Sequence, residues 1–159
     1  MRNFLLLISF VISFELYALE CNNVSFAEGD LEVKKIHFLY NSATQPVPYP
    51  TDNDTANFTT EAYKNRLNEL EQYLADLTKN HSDLFKARLL NQENLQRWKL
   101  LEKTCENESL TLAQKGRYDA ETMKPLIQTH MSSVQEHINT MKIIMAAIKQ
   151  KFEKSREKQ

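Results

Sequence analysis

The chain has 159 residues and a formal net charge of -1. That is one domain with a single core once an export signal is removed, and it excludes both a strong positive field that would draw nucleic acid and a strong negative one that would steer a basic partner from afar. With 2 glycines and 4 prolines against abundant Leu, Lys, Glu, Gln and Ala, the composition favours helices over a turn-rich sheet protein.

The chain opens with Arg2, an apolar run from Phe4 to Phe14 and the small residue Ala18, the pattern of a cleaved export signal over residues 1–18. The run is too short for a stable transmembrane anchor, which needs about 20 apolar residues, and Glu15 interrupts it. Lipid attachment at Cys21 is disfavoured by Leu19 and Glu20 where small residues are required. The cysteine count is 2. In an oxidising compartment Cys21 and Cys105 are expected to pair, closing a loop of about 84 residues that the chain-entropy model credits with about 4–5 kcal/mol. A buried thiol and a free one are the alternative.

Residues 19–57 read as an irregular N-terminal segment. Leu31, Val33, Ile36, Phe38 and Tyr40 give a broken two-residue alternation, a short strand at most, and Pro46, Pro48 and Pro50 make the following stretch extended. A helical domain over residues 58–155 is expected next. Thr59 or Thr60 caps a first helix whose face carries Tyr63, Leu67, Leu70, Tyr73, Leu74 and Leu77. Asn80 and His81 end it, and Ser82 caps a second, antiparallel helix. Its apolar stripe is Phe85, Ala87, Leu90, Leu95, Trp98, Leu101 and Cys105, with Arg88, Glu93, Arg97 and Lys99 mostly facing water.

Asn107 to Gly116 loosens the pattern, with Gly116 as turn punctuation and Leu110 and Leu112 able to extend a short helical segment. Pro125 then fits the first turn of a last helix carrying a heptad seam of Ile127, Met131, Val134, Ile138, Met141, Met145, Ile148 and Phe152. The seam packs within the chain or against a second copy. The shorter helices also need a partner surface, which favours an all-α, small antiparallel three-helix bundle with an irregular N-terminal extension and keeps a dimer open.

Nothing in the spacing of residues assembles chemistry. His37, His81, His130 and His137 do not cluster with the cysteines into a metal framework, and neither a glycine-rich phosphate loop nor a nucleophile elbow is present. Glu69, Glu71, Glu93, Glu102 and Glu108 read as a solvated helix face, and the basic tail from Lys149 complements the negative end of the last helix. No enzyme, cofactor or metal is expected. Asn-X-Ser/Thr triplets start at Asn23, Asn53, Asn57 and Asn107, plausible glycan acceptors in a eukaryotic host.

The segment from Asn91 to Glu108 carries Gln96 (or Gln92), Trp98 and Cys105 in the order of the Gln…Trp…Cys helix of the LprI-type lysozyme inhibitor family, small exported bacterial helical proteins, which it resembles. Upstream, Leu67-Asn68 with Tyr73 and Leu77 is similar to that family's Leu-Asn…Tyr…Leu helix, and the resemblance spans about residues 57–145. The sequence departs from it in the last helix, where His137-Ile138 stands for an Arg-Ile pair and Met131 for a cysteine. The resemblance implies a periplasmic or secreted, non-enzymatic protein whose partner is a lysozyme, blocked at its glycan cleft; residues 106–122 are the expected presented loop. A cytokine-like secreted ligand of a eukaryote and a coiled-coil structural or adhesin component are the alternatives.

Overall fold

The computed structural model describes residues 20–50 and 59–156. The export signal at 1–18 and the triplets at Asn53 and Asn57 lie outside them. Three helices follow one another, α1 (Asn23–Ala43), α2 (Thr60–Thr104) and α3 (Asn107–Arg156), and the all-α three-helix expectation holds. The helices themselves are fewer breaks and more length than the sequence suggests. None is long and apolar enough to cross a membrane among the described residues.

α2 and α3 are rods of 45 and 50 residues, about 70 Å long at 1.5 Å per residue, folded into an antiparallel hairpin. The link is only Cys105 and Glu106, and Asn107 enters α3 with φ 53°, a left-handed conformation that Asn tolerates better than most residues. α2 does not stop at Asn80 and His81, and Ser82 is not a cap. Tyr63, Leu70, Leu77, Leu84, Asn91, Trp98 and Cys105 recur in strict heptads, and every one is buried. That unbroken seam holds the helix continuous through locally poor helix formers. Thr59 caps it as expected, its hydroxyl accepting from the Ala62 amide at 3.2 Å.

α3 is likewise continuous, so Gly116 is not a turn and Pro125 is not in a first turn: both are interior. The expected seam from Ile127 to Phe152 packs inside the chain, against α2. Ile138, Met141 and Met145 meet Leu70 and Leu77, and at the far end Phe152 stacks on Tyr63 with centroids 3.7 Å apart.

The largest departure lies in residues 19–57, which are not irregular throughout. Asn23–Ala43 is a helix, capped by Asn22, whose side chain accepts from the Ser25 amide at 2.9 Å. Its buried line is Ser25, Gly29, Ile36 and Ala43. Three of those four are small and carry almost no hydropathic signal, so only the misleading Leu31 to Tyr40 alternation was visible. α1 runs antiparallel to α2, and Ile36 and Ala43 join Leu84, Ala87, Met123, Ile127 and Met131 in the middle of the core. From Pro46 to Pro50 the chain then runs without regular secondary structure. Val47 packs on the lower core, and the Pro50 carbonyl accepts from Arg66 at 3.0 Å.

Pro125 sits exposed in the interior of α3, where it removes one backbone hydrogen bond and crowds the preceding turn. Pro125→Ala is expected to raise stability by about 1–3 kcal/mol, read as a higher midpoint in thermal or urea unfolding. An unchanged midpoint would mean that α3 is broken there in solution.

Candidate functional site at the disulfide pole

The residues that the sequence singles out fall into two places. Trp98 and Cys105 lie at the pole where α2 turns into α3, both buried. Leu67, Asn68 and Tyr73 lie in the other half of α2, where Leu67 is half-buried, Asn68 is exposed and Tyr73 meets Tyr49 edge-on with centroids 5.3 Å apart. Gln96 and Gln92 point to solvent. The structure therefore brings together Trp98, Cys105 and Cys21, and leaves the upstream motif about 40 Å away along the helix.

Cys21 and Cys105 form a disulfide, with Cα atoms 5.2 Å apart and 84 residues between them in sequence. It fastens the start of α1 to the end of α2. One heptad before Cys105 on α2, the indole of Trp98 fills the junction of all three helices. α1 and α3 both approach it through a glycine, and these are the chain's 2 glycines. A Cβ at Gly29 would meet Trp98 Cζ2 at 2.5 Å, and one at Gly116 would meet Cε2 at 2.5 Å. No side chain fits at either place without displacing the ring. Phe26 adds a tilted contact from α1, centroid to centroid 5.8 Å.

A polar chain ties the same junction. Trp98 Nε1 donates to Asn94 Oδ1 at 2.6 Å, and Asn94 Nδ2 donates to the Gly29 carbonyl and to Glu32 Oε2, each at 3.0 Å. Asn94 is fully buried, and each of its polar atoms is used, which is the condition for burying an amide without a penalty. Arg97 then clamps α1 from the outside, donating to Glu28 at 2.7 Å and to Glu32 at 3.0 Å. Burial alone lowers its pKa, but the hydrogen bonds and charges of Glu32 and then Glu28 outweigh this and hold it above the ordinary arginine value. A raised value in a base means that its share of stability is complete below the unfolded pKa. The guanidinium thus remains charged throughout the ordinary pH range. On the opposite side of α2, Asn91 Nδ2 donates to the Ala120 carbonyl of α3 at 2.9 Å.

No family model, curated protein or solved structure matches this chain.

Several expectations need correction. Arg97 does not face water but pairs across to α1, and Arg88 is half-buried with its guanidinium over Phe85 at 4.9 Å. Phe85, expected on the core stripe, is exposed. Residues 106–122 are not a loop: from Asn107 on they are the first turns of α3. His130 bonds Tyr40 across the α1–α3 contact at 2.9 Å, whereas His137 is exposed. Asn94, Gly29, Glu28 and Glu32 carry no signal in the sequence reading, and Gly116 carries only that of a turn. The one available signal was the coincidence of the sole tryptophan with Asn91 and Asn94 in the buried heptad.

Gly→Ala in a helix interior normally stabilises by up to about 1 kcal/mol. At Gly29 and Gly116 the sign is expected to reverse, with Gly29→Ala and Gly116→Ala each destabilising by about 1–3 kcal/mol through overpacking against Trp98. Chemical denaturation followed by tryptophan fluorescence measures this. A gain in stability at either position would show that the indole does not occupy the junction.

Proposed function

We propose that the chain acts after export as a non-catalytic protein-binding module, its disulfide pole being the rigid end that it presents. The observation that supports this most is the Cys21–Cys105 bridge. Such bonds persist in periplasmic or extracellular surroundings and are rare where thiols are kept reduced. The bridge is spent on geometry, fixing the register of α1 against the hairpin, and the polar groups gathered beside it satisfy one another. Such a module binds by shape.

Among partners, a lysozyme is the one to which the LprI-type resemblance of Gln96, Trp98 and Cys105 points. Trp98 and Cys105 serve in this reading as supports, since both are buried. With no loop at residues 106–122, the presented feature is the tight Cys105–Glu106 turn itself. Glu20, Glu106 and Glu108 are exposed around it, with Lys103 in the last turn of α2 as the opposing charge, a locally acidic end on a nearly neutral chain and suited to a basic partner at short range. A second reading, a secreted signalling ligand of a eukaryote, draws support from Asn23 and Asn107, both exposed and each opening a helix beside the bridge. Glycan mass on the secreted product would favour that reading.

The exported protein titrated into a lysozyme lysis assay is expected to slow lysis in a saturable way. Glu106→Lys combined with Glu108→Lys is expected to weaken inhibition by roughly 2- to 10-fold. Undiminished lysis at saturating protein removes the lysozyme reading.

A further inference from the structure

α1 has a second face. Opposite its buried line, Val24, Leu31 and Phe38 follow one another in heptads with exposures of 66%, 51% and 73%, and Ala27 and Lys34, both exposed, complete the three–four spacing between them. This is a coiled-coil seam left open to solvent. Beside it, Lys34, Lys35 and Phe38 wall an open groove of about 390 Å³ floored by Leu39 and Leu90. Within the described residues Lys34 and Lys35 have no ion-pair partner, whereas Arg97 pairs with Glu28 and Glu32, and Lys115 with Asp119.

The charges beside the seam are ordered. Glu28 and Lys35 lie on its α2 side, and Asp30 and Lys34 on the other. On each side the acid comes first in the chain and the base second. We propose that this face binds a second copy of the chain, α1 against α1 and antiparallel, with the two-fold axis at Leu31.

In that arrangement Leu31 meets Leu31 of the second copy and Phe38 meets its Val24, which enters the groove floored by Leu39 and Leu90. In an antiparallel pair like flanks face each other. Glu28, which also holds Arg97, therefore comes opposite Lys35 on one flank and Asp30 opposite Lys34 on the other, twice each by symmetry. A parallel, in-register pair would instead bring Lys34 of one copy against Lys34 of the other within the seam. Self-pairing thus selects one direction by repulsion as well as attraction. The seam is about 21 Å long, well short of a standard interface, so the dimer is weak and concentration-dependent. It leaves the acidic turn at the disulfide pole open, and it stands whether or not the partner there is a lysozyme.

Sedimentation equilibrium of the exported protein from about 10 µM to about 1 mM tests the proposal. The mean mass is expected to rise from monomer toward dimer over that range. Leu31→Glu, at an exposed position that folding does not require, sets two carboxylates on the axis and is expected to leave a monomer throughout. Asp30→Lys and Lys34→Glu are each expected to weaken the dimer by roughly 2- to 10-fold, and the two together to restore it, because exchanging the signs keeps each flank complementary. A monomer at every concentration overturns the proposal. So does a dimer indifferent to Leu31→Glu, which would pair through another face, or a double charge exchange that fails to recover what its single changes lose.

Discussion

The molecule depends on the fit of one indole between two bare stretches of helix. Trp98 is too large for a two-helix seam and would hold neighbouring rods apart. It is accommodated because α1 and α3 each present a glycine where they come closest, so that three backbones converge on one ring. The ring is also aimed. Its nitrogen can reach Asn94 only from one orientation, and Asn94 is held by the Gly29 carbonyl and by Glu32. Packing sets how near the helices lie, and the hydrogen bonds set how far each has slid along the others.

That second role matters because heptad seams are prone to slip. Two apolar rods shifted by one repeat bury much the same surface, and polar residues at seam positions remove the degeneracy at some cost in stability. Asn91 and Asn94 are such residues, one turned toward α3 and the other toward α1. The Arg97 clamp and the disulfide act at the same end of the rod. Away from this end the core is aliphatic and methionine-rich, with Ile138, Met141 and Met145 against Leu70 and Leu77. Adaptable side chains suit a place where exact register is already decided elsewhere.

Helical class, the Thr59 cap, the seam of the last helix, the bridge and the burial of Trp98 were all legible from spacing and residue type. The continuity of α2 was not. The heptad that carries it passes through Asn91, and a reading by hydropathy sees a gap there, while Asn80, His81 and Ser82 imitate a helix end and a new cap. α1 was missed for a related reason: a helix that packs closely does so through Ser25, Gly29 and Ala43, which are silent in any apolar count. Gly116 reads as punctuation because glycine usually marks a turn, and only the tertiary position of Trp98 reveals that it marks close approach. In each case long-range packing overrode a sound local preference.

The link between the two long rods is just Cys105 and Glu106, and the bridge is anchored on the first of them. The hairpin is therefore built like a tuning fork, welded at the stem while the tines run on to Tyr63 and Phe152 at the far end. Thermal agitation that parts the tips costs local contacts there and leaves the stem intact, so excursions grow with distance from the weld. Whatever grips the stem meets a stiff, nearly fixed shape, and whatever touches the tips meets one that yields.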